Sequence, residues 1–174
     1  MPTLGEYIYS QVKDEVAVHL YVQSKADIRL ESGRLQLIQE TDYPWDGVVC
    51  IRCKMEKPFE LTLKFRHPGW CREGRAYLNG QPLALEENLE GGYFSLTHTW
   101  QTGDVLRLQW LMPVRQVYAH PNVRQNIGKT ALMRGPLVYC LEAIDQSVPL
   151  HHVRLPQETA FDCQFEPELL DGVV

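Results

Sequence analysis

The sequence has no block of basic residues, no internal repeat, no low-complexity tract, and no apolar run near the roughly 18 residues that a membrane span needs. Each absence removes a class of function. Seventeen Lys plus Arg against 22 Asp plus Glu leave a formal net charge of −5, dispersed along the sequence. That balance argues against nucleic acid or a membrane surface as partner. A neutral, sugar-like or protein partner is easier to accommodate. The first residues, MPTLGEYIYSQ, lack the charged-then-apolar order of an export signal, so a cytoplasmic location is expected.

Helical periodicity is also scarce. Leu4 to Tyr9 carries apolar residues at 4, 7 and 8, enough for one or two turns and no more. Strand patterns fill most of the rest. Phe59 to Phe65 alternates cleanly, with Phe59, Leu61, Leu63 and Phe65 on one face, and such a strand requires a second layer to cover it. Val16 to Val22, Gly33 to Gln39, Val48 to Lys54 and Val114 to Tyr118 read as further strands, with Ser24 to Arg29 as polar connection. Asn79-Gly80 predicts a type I′ hairpin between Ala76–Leu78 and Gln81–Leu83. A second hairpin is expected between Tyr93–Thr99 and Asp104–Trp110. Ala119 to Ile127 is polar and reads as an exposed loop.

The most apolar stretch is Gly128 to Glu142, whose runs Thr130–Met133 and Leu137–Leu141 flank Arg134-Gly135-Pro136. Such runs suit a strand buried on both faces or a sheet corner, and because Gly135 permits a sharp bend and Pro136 withholds an N–H the strand is expected to switch direction, or switch sheets, there. That bent strand is expected to close the fold. About ten strand candidates with almost no helix give an all-β fold, an antiparallel β-sandwich of Greek-key or jelly-roll type. Residues 1–10 are expected to be the remnant of a preceding helix, 11–142 the sandwich, and 143–174 an irregular segment or the beginning of a second β unit.

Sequence motifs for chemistry are sparse. The five cysteines are odd in number and read as buried thiols, and Cys50 and Cys53, three apart in a strand, point to opposite faces where they cannot share an ion. The six histidines show neither an H-x-H nor an H-x-x-x-H spacing, and no nucleophile elbow or phosphate loop occurs. Asp42 and Asp46 flank Tyr43 and Trp45 in one turn-rich cluster, the best local candidate for a sugar site because an aromatic ring can stack on a sugar face. Turn chemistry is the stronger explanation of the two acids, with Asp42 capping the turn and Trp45 plugging the end of the sandwich. Trp70, Trp100 and Trp110 could form a carbohydrate platform, although tryptophans beside glycine and in strands are more often core or edge fillers, and Trp45 and Trp70 are kept as candidate substrate-binding residues.

Taken in order, several segments together resemble one family. They are Gly5–Tyr9, Thr41–Gly47, Arg66–Cys71, Leu78–Gly80, Gly92-Tyr93, Trp100–Asp104, Met112–Arg115, and Gly128-Lys129 through Arg134–Tyr139. The chain is similar to the C-terminal β-sandwich portion of glycoside hydrolase family 127, the β-L-arabinofuranosidase family. The resemblance implies an (α/α) catalytic barrel ahead of this portion, carrying a zinc-bound cysteine nucleophile in a Cys-Cys pair and a glutamate acid/base. No residue here matches those positions, so no catalytic residue, metal ligand or cofactor is carried over to this chain. Pro2 to Tyr9 would then be the last turns of the barrel's final helix, and Cys140 a buried packing residue. The expected role is a non-catalytic module without activity by itself, and its expected partners are the missing barrel, a second copy of the chain, or a carbohydrate. The alternatives are a free-standing carbohydrate-binding module using Trp45 or Trp70, and an interaction module that self-associates through an apolar patch.

Overall fold

A computed structural model describes residues 4–166, 168, 172 and 173. The chain divides into two compact units, through Leu111 and from Met112 onward. None of its helices, all short, is long and apolar enough to cross a membrane among the described residues.

The first unit opens with a single 3-10 turn, Leu4–Tyr7, and then eleven strands follow. These are β1 (Tyr9–Val12), β2 (Glu15–Val18), β3 (Ser24–Arg29), β4 (Arg34–Thr41), β5 (Val48–Met55), β6 (Phe59–Arg66), β7 (Gly74–Leu78), β8 (Gln81–Leu83), β9 (Leu89–Glu90), β10 (Tyr93–Trp100) and β11 (Val105–Trp110). They form two sheets, one ordered β1-β2-β6-β10-β9 and the other β3-β4-β5-β11-β7-β8. All neighbours are antiparallel except β2 and β6, which run parallel. The pattern of alternation explains the core. In β6 the residues Phe59, Leu61, Leu63 and Phe65 are buried while Glu60 and Arg66 face water. Leu35, Leu37, Val49, Ile51, Leu106 and Leu108 supply the facing layer. A side chain of this size, fully buried, contributes roughly 1.5–3 kcal/mol relative to exposure.

The Asn79-Gly80 hairpin forms as expected, with both residues at positive φ. The expected hairpin of residues 93–99 and 104–110 does not. β10 pairs with β6 in one sheet and β11 with β5 and β7 in the other, so residues 101–104 carry the chain across the sandwich. Backbone bonds between Cys53 and Gly103 and between Cys53 and Asp104, with Thr102 Oγ1 bridging Met55's N–H and carbonyl, pin that crossing to the end of β5. Buried Asp104 completes it, accepting from the Gln101 N–H and from Asn79 Nδ2 at 2.9 Å each. Ser24–Arg29, expected as a polar connection, is edge strand β3, because only every second residue needs partial cover at a sheet edge.

The second unit contains a three-stranded meander of β12 (Val114–Tyr118), β13 (Thr130–Arg134) and β14 (Leu137–Tyr139), and a short pair, β15 (Phe165–Glu166) with β16 (Gly172–Val173). Here the expectation of a bent strand buried on both faces is corrected. Arg134 pairs with Leu137, so Gly135-Pro136 is a tight hairpin turn, and Gly135 takes the φ of +56° that a side chain would resist. Val138 is 65% exposed, and the meander is a sheet of its own within the second unit. The division thus falls ahead of the boundary expected at residue 142, because a three-stranded meander needs no sandwich strand to pair with. The expected helical remnant is one turn, since Tyr9 and Ser10 already belong to β1, and its residues 1–3 lie outside the described residues.

Candidate functional site

The aromatic residues singled out in the sequence meet at one end of the first unit. Parallel pairing of β2 with β6 brings their C-terminal ends to the same side of one sheet. In the other sheet β4 and β11 both run antiparallel to β5, so Thr41 and Trp110 also finish at one end. Residues just past these four ends supply the cluster.

The turn between β4 and β5 is clamped from within. Thr41 Oγ1 donates to the Val48 carbonyl at 2.6 Å and accepts from the Tyr43 N–H at 3.1 Å. The Trp45 and Asp46 N–H groups both donate to the Asp42 carbonyl, at 2.8 and 3.3 Å. Turn chemistry therefore accounts for much of this cluster's acid-aromatic composition. Trp70 enters from the loop after β6, its indole N–H donating to the Tyr43 hydroxyl at 3.3 Å, and the two rings stack at 6.5 Å between centroids. Behind them Tyr21 meets Tyr43 edge-on at 5.8 Å and Trp110 at 5.9 Å, while His67 packs edge-on to Trp110 at 5.3 Å.

The aromatic cluster itself is uncharged, with exposed Asp42 and Asp46 in the turn beside it and Arg66 close to Tyr21 and Tyr43. Burial raises the hydroxyl pKa of Tyr21 well above its usual value, and that of Tyr43 less steeply. Burial also lowers the His67 pKa, so its imidazole is uncharged at neutral pH. Such a group of rings can pack on one another or stack on a partner's apolar face. Trp45 is 39% exposed and Trp70 half-buried, so the ring available to a partner is mainly Trp45. Trp100 is fully buried, its indole N–H donating to the Leu61 carbonyl at 3.2 Å. Tyr21, His67 and the Tyr43–Trp70 stack were not legible in advance, because a parallel strand pairing joins segments far apart in the sequence.

The thiols do not converge. Cys53 is buried with Val49 and Ile51 on the inner face of β5, whereas Cys50 shares the outer face with Arg52. Cys71 donates to the Glu73 carbonyl at 3.1 Å. Among the described residues, no three His, Cys, Asp or Glu side chains gather as a metal would require. The zinc implied by the resemblance therefore does not fit the side chains present here. Cys140, expected to be buried, is exposed, as is Cys163, because each follows its strand or turn into irregular backbone. Burial, with Asp104 adding to it, pushes the Cys53 thiol up to about 12. In a thiol–disulfide titration of the native chain at pH 8, Cys140 and Cys163 are expected to react first and Cys53 only after denaturation. Mass mapping showing Cys53 labelled in the native chain would contradict that burial.

Comparison with known proteins agrees with the division into two units. A family model described as the β-L-arabinofuranosidase, GH127 middle domain matches residues 15–112, and one described as the glycoside hydrolase family 127 C-terminal domain matches residues 114–169. A non-reducing end β-L-arabinofuranosidase of Bifidobacterium longum subsp. longum is 32% identical over 98% of this chain and 27% of its own length. The crystal structure of a GH127 β-L-arabinofuranosidase from Geobacillus stearothermophilus T6 is similar at 42% identity with a TM-score of 0.93, again over 98% of this chain and 27% of that one. A GH127 β-arabinofuranosidase structure at 32% identity gives a TM-score of 0.90 over 98% of this chain and 29% of its own. The chain thus spans less than a third of each relative.

Proposed function

We propose, starting from the finding that this chain belongs to glycoside hydrolase family 127 and matches its middle and C-terminal domains, that it serves as the non-catalytic β module of a β-L-arabinofuranosidase-like enzyme. Its partner in this reading is a catalytic barrel domain, to which the zinc and the nucleophile are assigned, and its setting is the cytoplasm. The observation that carries the reading is coverage: nearly all of this chain aligns with only 27% of a full-length β-L-arabinofuranosidase. The side chains agree with it, since the aromatic residues pack on one another and the thiols are scattered. A self-supporting core also suits a module that braces another domain.

The test uses the purified chain with an aryl β-L-arabinofuranoside and added zinc. No turnover is expected from the chain alone, and mixing it with the separately expressed barrel region of the Geobacillus relative is expected to give a complex on size-exclusion chromatography. Turnover by the chain alone overturns the reading. Exposure of Trp45 on a clamped turn favours a second role, contact with the glycan at the substrate entrance. Saturable binding of arabinan oligosaccharides by the chain alone, abolished by Trp45→Ala, would support that role.

A further inference from the structure

The dispersed charges of the sequence are sorted by the fold. On β3, β4, β5, β7 and β11 the inward positions are apolar or half-buried, so the alternate residues share the outer face of the six-stranded sheet. At one side of that face stand Arg29, Arg34 and Lys54; further along it stand Lys25, Arg52, Arg75 and Arg107. Against these seven cations the strands carry two acids on the same face, Asp27 and Glu40, and Glu56 adds a third beside the groove, which leaves a net charge of +4 on one face of a chain whose total is −5. Glu40 engages Arg52 at 2.9 Å, and Asp27 accepts from Gln36 Nε2 at 2.8 Å. Among the described residues no ion pair engages the other six cations.

One pairing runs against the stability of the sheet. Arg29 and Arg34 lie directly opposite in the β3–β4 ladder, where like charges repel. A shallow groove of about 530 Å³ opens beside them, lined also by Lys54, Thr102, Asp27 and Glu56. Asp27 and Glu56 stand in the same groove, yet among the described residues neither forms an ion pair with Arg29 or Arg34, so the two guanidinium groups remain open to an anion from outside the fold.

We propose that this face, centred on the groove of Arg29, Arg34 and Lys54, binds an acidic polysaccharide, a glycan chain bearing carboxylates. The cations supply charge complementarity along several adjacent strands, about 4.8 Å apart, which suits an extended polymer better than a single small anion. A glycan rather than an acidic protein is assigned because the chain belongs to a glycoside hydrolase family; the inference rests on that membership but not on any catalytic role. The groove lies at the other end of β4 and β5 from the aromatic turn, so the two sites would engage sugar separately.

Affinity electrophoresis of the full chain in gels containing polygalacturonate, neutral arabinan or poly-glutamate tests this. Retardation by polygalacturonate alone is expected, weakening with added salt. The triple variant Arg29→Gln/Arg34→Gln/Lys54→Gln is expected to bind on the order of tenfold more weakly, as three exposed charge contacts would contribute. A control variant, Arg72→Gln/Arg124→Gln/Lys129→Gln, makes the same charge change elsewhere and is expected to bind as the parent does. Arg34→Gln alone should raise the melting temperature while weakening retardation, a combination that an unfolding artefact cannot produce. Equal loss in the control, equal retardation by poly-glutamate, or no retardation by polygalacturonate overturns the proposal. None of these results depends on turnover or on the barrel, so complex formation can succeed or fail independently of them.

Discussion

Trp110→Ala is expected to destabilise the first unit by about 3–5 kcal/mol, the range for removing a buried tryptophan and leaving a cavity. Trp110 is 1% exposed and sits where the two sheets meet, in ring contact with Tyr21 and His67. Its neighbours come from the ends of several strands, so they cannot all collapse into the space left behind. The indole N–H adds a second handle. It is buried with no protein hydrogen-bond partner among the described residues, so losing it breaks no bond to the chain. Trp110→Phe removes that donor with part of the ring, and is expected to cost less than half as much as alanine. Denaturant titration followed by far-ultraviolet circular dichroism measures both, and a loss below about 1 kcal/mol for alanine would remove Trp110 from the centre of this end of the sandwich.

Gly74→Ala is expected to destabilise the same unit through overpacking, by about 1–3 kcal/mol. A Cβ at position 74 would stand 2.7 and 2.8 Å from two carbons of the Trp110 ring and 3.4 Å from Leu85. The ring is wedged by Tyr21 and His67 and cannot step aside. The two sites should therefore couple. In the double variant Gly74→Ala/Trp110→Phe the smaller ring yields room, and the combined loss is expected to fall short of the sum of the singles by at least about 0.5 kcal/mol. Strict additivity would mean that the glycine is not there to admit the ring.

Much of the first unit was legible because its signals are local. Strict alternation from Phe59 to Phe65 gave β6 its span and its buried face, and the positive-φ tolerance of Asn79-Gly80 gave the β7–β8 turn. The opposite facing of Cys50 and Cys53 followed from the period of a strand. What was not legible is which strand pairs with which. A tight polar linker looks the same whether it reverses a hairpin or crosses between sheets, and residues 101–104 do the latter because their hydrogen bonds go to β5. Apolar content misled in the other direction at 130–141. Those residues carry the bulk of a core strand, yet the meander leaves Val138, Cys140 and Leu141 at the surface. Of the candidate site, Trp45 and Trp70 could be named from their turns, but their shared end could not, since parallel pairing of β2 with β6 is written in no local pattern. The cationic face was hidden for the same reason: its charges are scattered in sequence and gathered only by the strand order.

The outermost strands of the two sheets carry a further meaning. β8 is three residues long and its middle residue is Pro82, which has no N–H to offer; β9 has only two residues; β3 presents Lys25, Asp27 and Arg29 along its length. Each is a poor template for another strand. Two of the four borders, at β3 and β8, are therefore blunted; β9 covers only Tyr93 and Phe94 of β10, so β10 from Ser95 onward and β1, with Val12 68% exposed, present plain ones. Lateral growth into fibres is discouraged at both margins of the six-stranded sheet by the covalent chain itself, and a strand added from outside would find its template on the five-stranded sheet.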